Sequence, residues 1–394
     1  MKNQKRSLKN FYVLVLDVGT TGIKAFVFDN KCQIKSRSYK KISKNRPKKG
    51  WVEQDPNEIF RVSRLVLRKA VKNAHVDPKK ILGIGITNQR EATVVWNRKT
   101  GKPVYPVIGW EDNRTSAFCA KLKKFHGRFI RERTGLKSDA YFSASKIRWI
   151  LQNVSGEDLA FGTIDSWLIW NLCENHPHVT DETNASRTLL FDIRKRKWSE
   201  ELLALFQIHK DILPKVFSSR SNFGNLQKDI LGFSIPVLAV CGDQQASAYA
   251  AVRSQPVSRA NVTKVTYGTG VFVVQTIKRF VLHLNFFTTL VPTRKGVSFA
   301  LESKIEKSGE KVTSLLSSPN KLRIYLRSLA LDVDRLIKKL PTRPIELVVD
   351  GGISRDGLVV NIQKEISNIP VLQQKIYDGT ALGTAMLVID KISK

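Results

Sequence analysis

The feature that most constrains the fold is a strand–turn–strand pattern that the sequence contains twice. An apolar run, Tyr12–Leu16, leads into the letters DVGTTG, and a second apolar run, Ile23–Phe28, follows them. Much later, the letters TYGTG at Thr266–Gly270 lead into the apolar run Val271–Val274. Short apolar runs joined by glycine and threonine predict a β-hairpin with a tight tip. Two such hairpins, each at the head of a long segment, predict two related halves that face each other.

The stretches around the hairpins alternate between helical periodicity and short β-rich runs such as Ile81–Thr87 and Ile235–Val240. This alternation predicts a mixed α/β fold. The segment Arg253–Asn261, which contains serine, proline and arginine, is the natural boundary between the halves. We therefore predict an N-terminal domain over residues 1–253 and a C-terminal domain over residues 254–394.

The net charge of +32 is the most unusual property of the composition. A surface rich in Lys and Arg attracts phosphate groups and would suit a nucleic-acid partner. The basic residues are spread along the whole chain, however, and no helix-turn-helix, zinc-finger or aromatic RNA-binding motif accompanies them. We therefore expect a solvated basic surface and no specific nucleic acid, and a nucleic-acid-associated protein ranks third among our hypotheses.

Composition and cysteine spacing indicate a globular protein of the cytoplasm. Hydrophobic residues make up 42% and charged residues 25%, and no stretch approaches the roughly 20 apolar residues that cross a bilayer. The four cysteines lie far apart, without the spacing of a zinc site or a disulfide framework. We expect a reducing compartment and no transmembrane segment, and the sequence leaves open whether the protein forms a homo-oligomer.

The two glycine–threonine tips are suited to binding phosphate. Glycine allows close approach of the backbone, whose N–H groups can converge on one point, and threonine hydroxyls add donors. At the first tip, the carboxylate of Asp17 lies where it could hold a hydrated Mg²⁺ beside those phosphates. Taken alone, the pattern fits an ordinary hairpin turn better than a phosphate site.

Two further acidic positions follow apolar strands. Asp243 comes just after Val237–Cys241 and opens a helix, where it could accept the proton of a hydroxyl substrate during phosphoryl transfer or merely cap the helix. Asp350 precedes Gly351 and Gly352, whose backbone could support an adenine ring or a ribose, or could form a tight strand-to-helix turn. The residues alone leave both alternatives open.

Longer motifs occur in one order along the chain. They are LDVGTTGIKAFVFD (16–29), GWVEQDP (50–56), GITNQREATVVWNRKTGKPVYP (85–106), YFSASKIRWILQN (141–153), TIDSWLIWNL (163–172), HVTDETNASRTLLFDI (178–193), GDQQASA (242–248), TYGTG (266–270) and VVDGGISRDG (348–357). Together they resemble the FGGY carbohydrate kinases, and among these the glycerol kinases. The resemblance implies two actin-like (ribonuclease H-like) ATPase domains facing each other across a cleft, the second one truncated.

The resemblance also implies a reaction and its residues. The reaction would be phosphoryl transfer from ATP to glycerol, giving ADP and sn-glycerol 3-phosphate in glycerol metabolism, with Mg²⁺ as cofactor. The implied polyol ligands are Arg90, Glu91, Trp110, Tyr141, Asp243, Gln244 and Phe272. Asp243 would be the general base, and Asp17 and Asp243 would hold the metal. The implied nucleotide ligands are Thr20, Thr21, Gly22, Lys24, Gly268, Thr269, Gly309, Gly352 and Asp356.

Three departures from the family pattern affect the nucleotide side. Lys24 stands where the family usually has arginine, so a point charge replaces a two-pronged donor. After Glu302 the segment Ser303–Leu316 is far more charged than the family's apolar helix, although Gly309 matches its glycine. Several dozen family residues, including the second family signature, are then absent before the pattern resumes at Leu322–Lys338.

The absent block sets the order of the hypotheses. The glycerol side is complete in the sequence, whereas the nucleotide side is not. An active kinase of the glycerol kinase type is therefore the first hypothesis, and a weakly active or inactive polyol-binding relative is the second. An alternatively spliced or misassembled gene product is another explanation of the absent block.

Overall fold

The computed structural model describes residues 10–254, 262–268, 270–305 and 309–393. The predicted boundary segment, Arg253–Asn261, therefore lies mostly outside the described residues, as does Thr269 of the second tip. The strands are β1 (Tyr12–Val18), β2 (Gly22–Asp29), β3 (Ile34–Lys41), β4 (Glu53–Gln54), β5 (Ile81–Asn88), β6 (Val94–Asn97), β7 (Val107–Ile108), β8 (Leu159–Gly162), β9 (Val179–Asp181), β10 (Phe191–Asp192), β11 (Lys197–Trp198), β12 (Lys215–Phe217), β13 (Val237–Gly242), β14 (Val262–Tyr267), β15 (Val271–Ile277), β16 (Phe287–Thr293), β17 (Gly296–Ile305), β18 (Glu346–Asp350) and β19 (Val371–Gln373). The helices are α1 (Pro56–Ala74), α2 (Ser116–Thr134), α3 (Ser143–Asn153), α4 (Ile164–Leu172), α5 (Glu182–Ala185), α6 (Glu200–Phe206), α7 (Lys228–Leu231), α8 (Asp243–Arg253), α9 (Gly309–Leu315), α10 (Pro319–Ile337), α11 (Leu358–Ile366) and α12 (Gly379–Ile392).

The first large sheet has the strand order β13-β5-β1-β2-β3. β1 and β2 form the first predicted hairpin, which pairs antiparallel from Tyr12 opposite Asp29 to Val18 opposite Ile23. β5 and β13 add in parallel on the other side of β1. A continuous apolar run suits this central position, because a strand covered on both faces buries every side chain, and Val13–Val18 are all buried.

The second large sheet has the order β16-β17-β15-β14-β18-β19. β14 and β15 form the second predicted hairpin, from Thr263 opposite Gln275 to Tyr267 opposite Val271. β17 pairs antiparallel with β15, and β18 and β19 add in parallel beside β14. The strands β3, β2, β1, β5 and β13 follow the same scheme in the first sheet. Both predicted hairpins are therefore present, and five strands of the second sheet repeat the topology of the first, with β16 added at the edge.

Helix α1 packs against β1, β2 and β3 of the first sheet. It begins after Asp55, whose carboxylate accepts a hydrogen bond from the Asn57 N–H, and Pro56 stands in its first turn. Apolar residues recur every three or four positions and so form one stripe that faces the sheet. The buried members of this stripe are Ile59, Val62, Val66, Leu67 and Ala70.

We call residues 10–254 the first lobe and residues 262–393 the second lobe. The last helix, α12, belongs to the second lobe in sequence but packs against β1, β5 and β13 of the first sheet. Helix α8, which leaves β13, in turn contacts β14, β15 and β16 of the second sheet. The two helices approach so closely that a Cβ added to Gly383 of α12 would lie 1.8 Å from the carbonyl oxygen of Ala246 in α8. Helices α8 and α12 therefore form the packed junction between the lobes.

Each lobe has an apolar core of its own. In the first lobe, Leu16 and Ile86 of the sheet belong to one buried cluster with Val66 of α1. In the second lobe, Val265 of β14 shares a buried cluster with Leu329 of α10. Within the described ranges, none of the helices combines the length and the apolar character that a membrane span requires.

Candidate active site

The tips of the two hairpins border a cavity of about 70 Å³ between the lobes. Its lining comes from both lobes and consists of Thr20, Gln89, Arg90, Glu91, Trp110, Tyr141, Asp243, Gln244, Thr266, Gly268, Gly270 and Phe272. All seven implied polyol ligands are in this lining, and so are Thr20 and Gly268 from the implied nucleotide ligands. The structure thus brings residues that are up to 252 positions apart, Thr20 and Phe272, into one site.

The acidic and basic residues reach the cavity because parallel strands end at one edge of the first sheet. Val18 of β1 lies opposite Asn88 of β5, and Asn88 lies opposite Gly242 of β13. Arg90 follows the end of β5, and Asp243 follows the end of β13. Loops at the carboxyl ends of parallel strands are the usual place for ligand-binding residues in α/β sheets.

Arg90 is the centre of a buried set of charges. Its side chain is almost entirely buried, and its Nε lies 2.9 Å from Oδ1 of Asp243. Its Nη1 donates to Glu302 Oε2 at 2.6 Å and to Gln245 Oε1 at 3.2 Å. Burial alone would lower the pKa of Arg90, but Glu302, Glu91 and Asp243 outweigh it, so the guanidinium stays charged.

Glu91 is held by a second buried arginine. Nε of Arg187 donates to Oε1 of Glu91 at 2.5 Å, and Nη2 of Arg187 lies 3.2 Å from Oε1 of Glu302. Burial would raise the pKa of Glu302, but Arg187 and Arg90 outweigh that effect and lower it, so this carboxylate is ionised. The side chains of Arg187, Glu91 and Glu302 are at most 2% exposed, so their charges must compensate one another.

The backbone of Glu91 is also fixed in an unusual conformation. Its φ of 61° lies in the left-handed region, which few residues other than glycine adopt. Ser143 Oγ and Lys146 Nζ donate to its carbonyl oxygen at 3.1 and 3.3 Å. Lys146 is buried, and this burial lowers its pKa to about 8. Such strain persists only where neighbouring groups hold it, and it is typical of functional sites.

Asp243 has the properties of a general base. Its side chain keeps 30% exposure, in the lining of the cavity. Burial raises its pKa to about 6 although Arg90 opposes the shift, so the carboxylate is mostly ionised at neutral pH but remains a usable proton acceptor. Its Oδ1 also accepts a hydrogen bond of 2.7 Å from the Gln244 N–H in the first turn of α8. The N-cap of α8 is Gly242, so Asp243 is the first residue of the helix and not its cap.

Aromatic rings form the apolar part of the cavity. Trp110 and Tyr141 meet edge to face with ring centres 5.9 Å apart, and Phe272 completes the lining from the second lobe. Nε1 of Trp110 donates to Oγ1 of Thr20 at 2.9 Å, which ties the wall to the first tip. The ammonium of Lys304 lies 4.2 Å from the centre of the Trp110 ring and brings positive charge beside the cavity.

At the first tip, Gly19 N–H donates to the Gly22 carbonyl at 3.1 Å and closes the turn. Nζ of Lys24 donates to Asp378 at 2.7 Å and lies 3.8 Å from Asp17, so two carboxylates share its charge. Burial raises the pKa of Asp17, whereas Lys24 lowers it. Of the predicted phosphate ligands here, only Thr20 lines the cavity, and Thr21, Gly22 and Lys24 lie beyond the lining.

The metal prediction rests on carboxylates that the strand ends bring to one edge of the sheet. Asp17 lies opposite Thr87 in the pairing of β1 with β5, one position before Val18, and Asp243 follows the last residue of β13. Among the described residues, no three His, Cys, Asp or Glu side chains cluster in a way that could hold a metal. A metal bound here would therefore need further oxygen ligands from phosphate or water.

On the second lobe, the predicted nucleotide residues offer backbone more than side chains. Gly268 donates to the Gly270 carbonyl at 3.1 Å and borders the cavity, while Thr269 lies outside the described residues. Gly352 has open space where a side chain would be. The carboxylate of Asp356 accepts from the Leu358 N–H at 3.1 Å, at the start of α11.

Three predicted nucleotide residues of the second lobe lie outside the cavity lining. Gly309 begins α9, and neither it nor Gly352 nor Asp356 is part of the lining.

Asp350 is buried and bound by Lys264 and by Ser247, whose Oγ donates to it at 2.6 Å. Asp350 is therefore part of the junction between β14, β18 and α8 and is not a free ligand.

Sequence reasoning did not single out Arg187 and Glu302. Each is a charged residue beside a mostly apolar segment: Arg187 shortly precedes Leu189–Ile193, and Glu302 follows Val297–Leu301. A charged side chain in such a segment must be paired if it is buried, which is the signal that could have found them. Their partners lie 96 and 212 positions away, and no local pattern predicts such pairs.

Comparison with known proteins defines the class. Residues 12–250 match the N-terminal domain of the FGGY family of carbohydrate kinases. This chain belongs to the FGGY family of carbohydrate kinases. It is similar to the glycerol kinase of Dichelobacter nodosus, with 36% identity over 445 positions that cover 95% of this chain and 89% of the relative. It is also 43% identical to glycerol kinase 2 of Thermotoga maritima over 341 positions, which cover 84% of this chain and 67% of the relative.

Solved structures share the fold. Plasmodium falciparum glycerol kinase with ADP matches with a TM-score of 0.87 and 27% identity, over 97% of this chain and 90% of that chain. A ligand-bound xylulose kinase from Lactobacillus acidophilus matches with a TM-score of 0.84 at 17% identity, over 97% and 89% of the two chains, and supports the fold alone. The predicted fold, two actin-like ATPase domains, is confirmed.

The alignment also bears on the predicted internal deletion. Because 95% of 394 residues is about 374, roughly 70 of the 445 positions aligned with the Dichelobacter nodosus relative have no residue in this chain. In the structure, α9 ends at Leu315 and α10 begins at Pro319, so only a short connection stands where the sequence pattern breaks. The family resemblance with an internal deletion is therefore confirmed.

Proposed function

We propose that this chain is an ATP-dependent polyol kinase that phosphorylates glycerol to sn-glycerol 3-phosphate in glycerol metabolism. The observation that carries the proposal is the shared cavity, in which Arg90, Glu91, Asp243 and an aromatic wall meet the tips of both hairpins. The similarity to proteins named glycerol kinase supports the same substrate. Arginine and glutamate can donate to and accept from neighbouring hydroxyls, while aromatic rings cover the carbon chain.

The size of the cavity favours a small polyol. The cavity of about 70 Å³ is small, as the pocket of a three-carbon polyol would be. A six-carbon sugar would need a wider opening between the lobes. Gln244 and Tyr141 complete the set of groups that would orient the hydroxyls.

The residues of the cavity support one reaction. The attacking hydroxyl oxygen forms a bond to the γ-phosphorus of ATP as the bond from that phosphorus to the bridging oxygen of ADP breaks. The hydroxyl proton passes to the carboxylate of Asp243, which Arg90 holds in place at 2.9 Å. Positioning of the reactants between the lobes contributes most of the remaining rate enhancement.

Magnesium fits the donors of this site. Asp17 and Asp243 would hold it as carboxylate ligands, and the phosphate oxygens of ATP and water would complete its shell. The ion would supply charge neutralisation for the phosphates. Thr20, Thr21, Gly22, Lys24 and Gly268 would contact those phosphates, together with Thr269.

The nucleoside part of ATP would lie along the second lobe. Gly352 is the strongest candidate on this side, because it has open space around it where a base or ribose could approach the backbone. Gly309 and Asp356 would lie beside it. We place the reaction in the cytoplasm, because ATP is made available there and the four cysteines are free thiols.

An ADP-release assay with the purified chain tests the proposal. We expect ADP release that depends on glycerol, whereas Asp243→Ala should show none above background. Turnover of the normal chain that does not exceed that of Asp243→Ala would contradict the proposal.

The second candidate is a polyol-binding protein without kinase activity, which the roughly 70 absent positions favour. Calorimetry separates the two candidates. The second predicts glycerol binding without measurable binding of Mg-ATP, and tight binding of Mg-ATP would exclude it.

A further inference from the structure

We infer that Glu302 is a positioning residue that couples polyol binding to nucleotide binding across the two lobes. Glu302 lies on β17 of the second lobe, but its carboxylate is buried among side chains of the first lobe. The inference rests on the proposed function, because it assigns a role to Glu302 at the same cavity.

The contacts of Glu302 cross from one lobe to the other. Its Oε2 accepts from Arg90 Nη1 at 2.6 Å and from Gln245 Nε2 at 3.3 Å. Its Oε1 lies 3.2 Å from Nη2 of Arg187. The side chain of Glu302 is 2% exposed, and those of both arginines are equally buried. A single carboxylate of the second lobe thus bridges two guanidinium groups of the first lobe.

Those guanidinium groups hold the two carboxylates that face the polyol. Arg90 contacts Asp243 at 2.9 Å, and Arg187 contacts Glu91 at 2.5 Å. The orientation of both carboxylates therefore depends on a residue of the opposite lobe. If the lobes separated, the two arginines would lose their shared acceptor and each would keep only the carboxylate that faces the polyol, so its orientation would be less firmly fixed.

The strand that carries Glu302 also reaches the phosphate tip. Glu302 lies opposite Val274 in the pairing of β17 with β15, and β15 begins directly after the tip at Gly268–Gly270. A polyol that fixes Arg90 and Glu91 would therefore favour the same arrangement of β17 and β15 that presents the tip to the nucleotide. Binding of the polyol would therefore favour binding of the nucleotide, and binding of the nucleotide would favour binding of the polyol.

Calorimetry with two ligands tests the inference. Binding of Mg-ADP is measured with and without saturating glycerol, in the normal chain and in Glu302→Gln, which keeps the shape and removes the charge. We expect glycerol to tighten Mg-ADP binding to the normal chain by roughly 5- to 150-fold. In Glu302→Gln this factor should fall close to one.

Two further variants make the result specific. Glu365→Gln removes an equally charged group of the second lobe that is half exposed and pairs with Arg327 of the same lobe, and it should keep the full factor. Arg187→Lys keeps the positive charge but loses the two-pronged contact with Glu91 and Glu302, and it should lose the factor as Glu302→Gln does. Circular dichroism and a thermal melt confirm that each variant is folded, and Arg187→Lys carries the test if Glu302→Gln is not.

The outcomes separate the inference from the proposed function. A normal chain that binds both ligands without coupling, or a folded Glu302→Gln variant that keeps the coupling, would overturn the role of Glu302 and leave the kinase proposal intact. A normal chain that binds neither glycerol nor Mg-ADP would overturn both.

Discussion

On the first-lobe side of the cavity, Arg90, Glu91 and Asp243 are held by buried ion pairs and hydrogen bonds between side chains. On the second-lobe side, Gly268 and Gly352 offer backbone and open space. The first kind of site depends on which side chains are present, and the second depends on the shape of the lobe around it. We therefore expect the roughly 70 absent positions to impair nucleotide binding more than polyol binding, because a shortened lobe can change its shape while all the predicted polyol ligands remain.

Replacement of Asp243 by Asn should give the largest effect on the polyol side. The amide cannot accept the hydroxyl proton, so we expect kcat to fall by roughly 10²- to 10⁴-fold while glycerol binding changes little. Steady-state kinetics and calorimetry with glycerol measure the two quantities. Asp229→Asn, at an exposed ion pair with Arg64, is the matched control and should retain full activity. An Asp243→Asn variant that keeps more than a tenth of the normal kcat would contradict the role of Asp243 as the general base.

The pH dependence of kcat/KM should report the ionisation of Asp243 in the unsubstituted enzyme. Burial raises the pKa of Asp243 to about 6, and only the ionised carboxylate can take the proton. We therefore expect kcat/KM to be constant above this pKa and to fall about tenfold for each pH unit below it. Circular dichroism over the same range separates this loss from unfolding. A profile that stays flat down to pH 5 would argue against Asp243 as the base.

On the second-lobe side, Gly352→Ala tests whether nucleotide approaches the backbone. The added methyl meets no atom within 4 Å, so thermal stability should be unchanged. If ATP lies on this surface, its affinity should fall roughly 5- to 150-fold, the equivalent of about 1–3 kcal/mol of overpacking, and glycerol affinity should stay the same. Unchanged ATP affinity would place the nucleotide elsewhere.

Gly351→Ala is the comparison variant for Gly352→Ala, and we expect it to destabilise the fold. Gly351 has a φ of 98°, and a Cβ there would lie 2.3 Å from the Tyr267 carbonyl oxygen. We expect a loss of stability by roughly 1–3 kcal/mol in urea unfolding, which Gly352→Ala should not show. Equal stability of the two variants would contradict the close packing of β18 against β14 at this point.

Lys304→Met should give the smallest effect. The substitution keeps most of the apolar stem over Trp110 and removes the charge beside the cavity. We expect about a fivefold loss in kcat/KM for ATP, since a partly exposed charge contributes only about 1 kcal/mol, and the loss should diminish at high salt. Lys304→Arg should retain the activity. If Lys304→Met loses the same kcat/KM for ATP at low and at high salt, Lys304 acts through packing and not through its charge.

The first lobe could largely be predicted from sequence because its motifs are continuous. DVGTTG predicted a hairpin, and the structure pairs Asp17 with Lys24 and Val18 with Ile23 around that tip. The polyol ligands came from a family resemblance, and the structure places all of them around one cavity. That they bind glycerol stays a prediction.

What the sequence could not show is how charges combine across large separations. Nothing near Glu302 indicates that it neutralises Arg90, because the strand pairing of the second sheet and the contact between the lobes bring them together. Likewise, the sequence pattern marked Asp350 only as an acidic residue at a strand end, and its partner, Lys264, lies on the neighbouring strand, 86 positions away. The tertiary structure determines which charged residues pair over such distances, so the residues near each of them in sequence cannot predict its partner.

The most direct test of the two-lobe account is a crystal structure with glycerol, Mg²⁺ and a non-hydrolysable ATP analogue. We predict a glycerol hydroxyl within about 2.6–3.2 Å of the Asp243 carboxylate, with the γ-phosphate between Thr20 and Gly268. A complex in which the γ-phosphate lies away from both tips, or in which the cavity holds glycerol while the second lobe binds no nucleotide, would contradict it.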